Sequence, residues 1–305
     1  MQTQYGIDPL GSNPRMEEVF NYIYSDAFAI NPPSNCLDAY WALLRMYAES
    51  IATTTNDLSG TSHYGIGAVT RAIWNTHPGD TITFVTFNQD LLIEKALDAT
   101  KRTKTYAALP WDIRQAYSMQ FGSWASYGAG QQTFVQGSDP SIRVLKLHGS
   151  LNWVYKVRSG SDPRNSLRSP SGELVAIAEK RVLTSLRYKP GKRWVDVIPL
   201  VVPPIYEKVS RYGEAVAPLW QEAVDAISAA ECVVVFGYSF PDADFGARAM
   251  FHRAFYANSK LQELHVIDVD PAVAANASRL FEVGCMHYYC DVPSFSRKVA
   301  AGILS

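Results

Sequence analysis

The feature that most limits the fold of this chain is a rhythm in its C-terminal half. CVVVFG (232–237), LHVIDV (264–269) and GCMHYY (284–289) are short apolar runs separated by helical stretches. The first is rich in β-branched residues and ends in glycine, as central parallel strands do. Ahead of it, EAVAPLWQEAVDAISAAE (214–231) repeats Val216, Leu219, Trp220, Ala223, Val224 and Ile227 at helical spacing, giving one apolar stripe. FGARAMFHRAFYA (245–257) reads as helix, and Pro271 opens another helix at its first turn. Strand and helix alternating at this spacing predict an α/β, Rossmann-like, doubly wound parallel sheet.

Upstream, TITFVTF (81–87) reads as a strand followed by a helix from Asp90 to Asp98. RVLKLHG (143–149) and DVIPLVV (196–202) are further strands, the latter stopped by Pro203 and Pro204. Two long pieces, about 100–142 and 154–195, exceed ordinary connections and read as inserted subdomains or lids. The first 76 residues are mostly helical, with LDAYWALLRMYAESIA (37–52) the strongest segment. The expected organisation is a single domain over 1–305 with a helical N-terminal region and these two insertions.

Composition narrows the class. Apolar residues at 47% and charged residues at 19% suit a globular chain with a sizeable core. A net charge of -1 gives no electrostatic case for nucleic acid or an anionic membrane. No run of 18 apolar residues is present, and MQTQYGIDPLGSNPR has neither a basic start nor an apolar core. Among Cys36, Cys232, Cys285 and Cys290 there is no Cys-x-x-Cys pair, so no zinc ribbon is expected. In CMHYYC, residues 285, 287 and 289 share one strand face and 290 the other, which reads as a terminal strand and not a ligand set. No metal is expected, and the location expected is cytoplasmic.

Open α/β sheets bind ligands beyond the carboxyl ends of their strands. Those ends deliver Asn88-Gln89-Asp90, His148-Gly149-Ser150, Gly237-Tyr238-Ser239, and Asp268 with Asp270. Singly, each has a structural reading. Asn88 and Asp90 suit a helix cap, Gly237 a turn, and Asp270 the cap of the helix at Pro271. A lone histidine is more often structural than catalytic. Together, four polar or glycine-bearing ends at one sheet edge make a site.

The set resembles the sirtuin (silent-information-regulator) superfamily, in its prokaryotic branch of sirtuin-like NAD-hydrolase domains. TFNQD (86–90), KLHGS (146–150), FGYSFPDADF (236–245) and VIDVDP (266–271) carry the resemblance, with VVPPIYEKVS (201–210) and Trp220 on the approach. It implies cleavage of the nicotinamide–ribose bond of NAD to nicotinamide and ADP-ribose. It also implies a role in prokaryotic antiviral defence, with a homo-oligomer or a partner defence protein.

In that reading His148 is the general base, since an imidazole titrates near neutral pH, and Asn88 orients water or ribose hydroxyls. Asp90 lies near the nicotinamide. Gly149, Gly237 and Ser239 give room and donors to the dinucleotide, and Asp268 accepts from the adenosine ribose.

The departures are specific. The family's opening strand and Gly-Ala-Gly-x-Ser loop, which binds phosphates, has no counterpart. GIGAVTRAI (65–73) reads as a helix start, and YGIDPLGSNP (5–14) is the other fragment reminiscent of such a loop. The alternative is therefore a non-catalytic nucleotide-binding or oligomerisation module. Protein deacylation is disfavoured by the missing zinc cysteines, and a dehydrogenase by the missing Gly-x-Gly-x-x-Gly turn.

Overall fold

The computed structural model describes residues 16–33, 35–56, 64–126, 130–132, 141–158, 162–167, 172–177, 187–188, 195–203, 205, 213–241, 244–281 and 285–300. Helices α1 (Met16–Ala27), α2 (Cys36–Asn56) and α3 (Tyr64–Thr76) form the expected helical N-terminal region. Strand β1 (Ile82–Thr86) and helix α4 (Leu92–Lys101) follow. Next come strands β2 (Ser123–Ser126), β3 (Gly130–Gln132), β4 (Ile142–Lys146), β5 (Gly149–Lys156), β6 (Leu174–Ile177), β7 (Arg187–Tyr188) and β8 (Val195–Val201). The C-terminal half then alternates: α5 (Gly213–Ala229), β9 (Cys232–Phe236), α6 (Phe245–Ala257), β10 (Glu263–Ile267), α7 (Ala272–Leu280), β11 (Met286–Tyr289) and α8 (Val292–Ala300).

The alternation produces parallel pairing, as expected, in a layer of two groups not hydrogen-bonded to each other among the described residues: β1 beside β4, and β9, β10 and β11 in a row with β10 central. Helices cover both faces. Val235, Leu264 and Val266 point into a core shared with Leu219 and Ala223 of α5, Met250 of α6 and Val273 of α7. The alternate residues Val234, Ile267 and Tyr289 meet Val69 of α3 and Phe295 and Val299 of α8. This two-residue alternation, with apolar side chains on both faces, is what burial between two helical layers demands. The fold is Rossmann-like α/β, doubly wound.

DVIPLVV does not join the parallel strands. It forms β8 of a second, mixed sheet ordered β3-β2-β6-β5-β8-β7, in which β5 is antiparallel to β6 and β8. One face of this sheet packs on α1 and α2, where Phe20, Tyr40 and Leu44 meet Leu151, Ile198 and Val201. Trp153, fully buried, joins the core on the side of Tyr117 and Phe121.

RVLKLHG is not one strand but a junction between the two sheets. β4 ends at Lys146, and Gly149 already pairs with Val201 in the second sheet. Pro199 then interrupts the ladder. It has no N–H to donate, and opposite it the pairing jumps from Ser150 to Val154. The bulged residues find other partners: the Leu151 N–H donates to the Gln89 carbonyl at 2.9 Å, tying the bulge to the loop after β1.

Candidate functional site

His148 sits at this junction. Its carbonyl accepts from the Val202 N–H at 2.8 Å, while the Leu147 N–H donates to the Thr86 carbonyl at 2.9 Å. The preceding carbonyl, of Leu147, accepts from the Trp220 indole at 3.0 Å. The imidazole is almost buried, with 8% exposure, and lies within an aromatic cup. Its ring centroid is 5.3 Å from Phe87 and 6.0 Å from Trp220. Phe87, leaving β1, stacks on Tyr238, leaving β9, at 4.9 Å and 27°. That stack joins the ends of two strands that are not hydrogen-bonded to each other among the described residues.

From Tyr238 the edge runs on. Gly237 donates its N–H to the Ile267 carbonyl at 3.1 Å, linking the end of β9 to that of β10, where Asp268 follows. Gly237 has φ +62 and open space where a Cβ would stand, so the backbone is bare there. Phe240, buried, holds φ 53, a conformation costly for a side-chain-bearing residue. The exposed Ser239 gives its carbonyl to Asn276 Nδ2 at 3.3 Å. Beside this loop is a cavity of about 70 Å³ lined by Phe240, Arg248, Asn276, Arg279 and Leu280. Two guanidiniums and an amide there suit an anion with several acceptor oxygens.

The other expected residues divide. Asn88 is exposed at the end of β1, its N–H donating to Thr86 Oγ1 at 3.1 Å. Asp90 lies one residue before the Leu91 cap position, its Oδ1 accepting from the Leu92 N–H at the start of α4 at 2.9 Å. Asp268 closes a local turn, Oδ1 accepting from the Asp270 N–H at 2.9 Å, and Asp270 Oδ1 accepts from the Ala272 N–H at the start of α7 at 2.9 Å. Gly149, at φ +77, faces β8: a Cβ would stand 2.0 Å from the Leu200 carbonyl oxygen. Its lack of a side chain serves the sheet junction. GIGAVTRAI lies inside α3, starting one residue after its first, and YGIDPLGSNP lies outside the described residues.

Sequence reasoning passed over the groups holding this edge from below. Gln89, 7% exposed, donates to the Val202 carbonyl at 2.8 Å and accepts from Tyr47 Oη at 3.0 Å. Lys146 lies buried against Glu94 at 3.0 Å and also bonds the Asp90 carbonyl. Tyr117 donates to Glu94 at 2.7 Å, Asn152 donates to Tyr117, and Ser150 donates to Asn152 at 2.6 Å. Burial first, then the Glu94 charge, pushes the Tyr117 hydroxyl well up, so it stays a donor. The signal for this network was Lys146 itself, a charge between Leu145 and Leu147.

Four parallel strand ends, a bare glycine turn and a histidine in an aromatic cup together form a candidate site at the edge where Rossmann-like folds bind their ligands. The family model of the SIR2-like domain matches residues 82–284, and the chain belongs to that family. The match opens at β1 and ends just before β11. It supports a nucleotide-related role in the manner of sirtuins. No curated protein matches the chain. Among the described residues no helix is long and apolar enough to cross a membrane.

Proposed function

We propose that the protein is an NAD glycohydrolase, hydrolysing the nicotinamide–ribose bond to nicotinamide and ADP-ribose. The observation that carries the reading is the position of His148, pinned at the junction of two sheets with its ring in the Phe87–Trp220 cup. In the reaction the C1′–N bond breaks and its electron pair goes to the nicotinamide nitrogen, cancelling the ring's positive charge. Water adds at C1′ and gives its proton to His148. The half-buried Phe87–Tyr238 stack offers aromatic faces to a cationic ring.

Asn88, exposed at the cleft, orients the water, and Asp90 offers the oxygen not engaged at the helix start to the carboxamide. The Gly237–Ser239 turn and the Arg248–Arg279 cavity hold the pyrophosphate. Asp268 accepts from the adenosine ribose. A cytoplasmic antiviral-defence role and an oligomeric or partner-bound active form belong to the same proposal.

The test is nicotinamide release from NAD, monitored by chromatography. His148→Ala is expected to lower the rate by about 10²–10⁴-fold with the fold intact by circular dichroism. Turnover within a few-fold of wild type would remove His148 as the base. NAD binding by calorimetry without any release would favour the binding-module reading.

A further inference from the structure

At the opposite, amino-terminal edge of the parallel strands lies a second group of side chains that the proposed reaction does not use. The register sets Cys232 of β9 beside Glu263 of β10, and His265 beside His287 of β11. Cys285 directly precedes β11. Because side chains alternate, Cys232, Glu263, His265, Cys285 and His287 all share one sheet face, the one covered further along by Phe295 and Val299 of α8. The ligand atoms of Cys232, Glu263 and His265 lie within 4.8 Å of one another. His265 Nε2 is 2.8 Å from Glu263 Oε2, and the imidazole is 1% exposed.

We propose that Cys232, Glu263 and His265 form a binding site for a divalent transition-metal cation, with Zn²⁺ the best match to one sulfur, one oxygen and one nitrogen donor. Three protein ligands leave a fourth position at the exposed start of β9, open to water. A metal-binding histidine needs its other ring nitrogen held, and His265 Nδ1 lies 3.1 Å from Tyr289 Oη.

The Glu263 carboxylate, which the register places beside Cys232, attracts a cation. Zn²⁺ displaces the thiol proton to solvent, forms the Zn–S bond, and sits between one thiolate and one carboxylate whose charges it balances. The neighbouring pair, Cys285 Sγ and His287 Nε2 at 3.1 Å, lies one strand further on, so the test separates the two.

The full chain is stripped with a chelator, dialysed, and titrated with Zn²⁺ against a chromophoric indicator, and with Co²⁺ by absorbance. One metal per chain and a sulfur-to-cobalt charge-transfer band are expected. Cys232→Ser should remove the band and weaken Zn²⁺ binding at least tenfold, whereas Cys290→Ser, out of phase with the cluster, changes neither. His265→Gln should weaken binding similarly, with circular dichroism reporting that it folds. Substoichiometric binding, or binding and band unchanged in Cys232→Ser, overturns the proposal. Loss of the band in Cys285→Ser with Cys232→Ser unaffected does so too. NAD turnover is not a readout, so this outcome stands apart from that of the hydrolase reading.

Discussion

Two polar clusters with buried members lie at opposite edges of the parallel strands, and their charges are balanced differently. At the carboxyl edge, Lys146 and Glu94 neutralise each other at 3.0 Å, and Tyr117, Asn152 and Ser150 extend the network in a chain of donors and acceptors. At the amino edge, Glu263 meets an imidazole and a thiol, the latter pushed up partly by that same carboxylate. The first cluster carries both signs of charge and works as scaffold for the site above it. The second, with a neutral ring and a neutral thiol around a carboxylate, is negative, and a cation changes its state. Burial alone therefore says little about what a polar cluster is for; the charge balance does.

The comparison breaks most readily at Lys146. Lys146→Met leaves Glu94 as an uncompensated buried charge and should cost about 3–5 kcal/mol in urea unfolding. Adding Glu94→Leu should recover most of that loss, since a buried pair exchanged for apolar groups is often near neutral. A double variant no more stable than the single would show that the network is not a closed ion pair.

Gly149→Ala tests the junction above the same network. Strain at φ +77 and a Cβ 2.0 Å from the Leu200 carbonyl together should cost about 2–3 kcal/mol, read as a lowered denaturation midpoint.

The smallest effect belongs to the amino edge. Burial lowers the His265 pKa below its ordinary 6.5, against the opposing pull of Glu263, and His287 also faces the ring. The unfolded chain then takes up the proton first as pH falls through 6.5. The corresponding stability is present above that value and lost below it. His265→Gln should flatten that part of the stability-versus-pH curve. An unchanged slope would mean that the imidazole does not titrate differently on folding.

Much of the fold was legible because local pattern and long-range pairing agree. α6 spans the residues that its sequence predicts, and α5 differs by a residue or two at each end. The second sheet was not legible. β5 is buried at Gly149 through Val154 without alternation, so no period of two marks it, and β8 looks like any parallel core strand until its partner is known. The histidine at a strand end was readable from RVLKLHGS, but the close approach of the Leu200 carbonyl that Gly149 permits was not. Asp90 shows the same limit: the sequence does not tell which of its oxygens is engaged by the Leu92 N–H and which is left for a ligand. Cys232, Glu263 and His265 escaped notice because spacing rules look for ligands close in sequence, whereas strand register brought these together.

The junction at Leu147–His148 gives the molecule a mechanical property. The two carbonyls there are gripped from different directions, Leu147 by the Trp220 indole on α5 and His148 by Val202 just beyond β8. Neither sheet can tilt against the other without levering the imidazole between them. The histidine is thus the fulcrum of the two sheets.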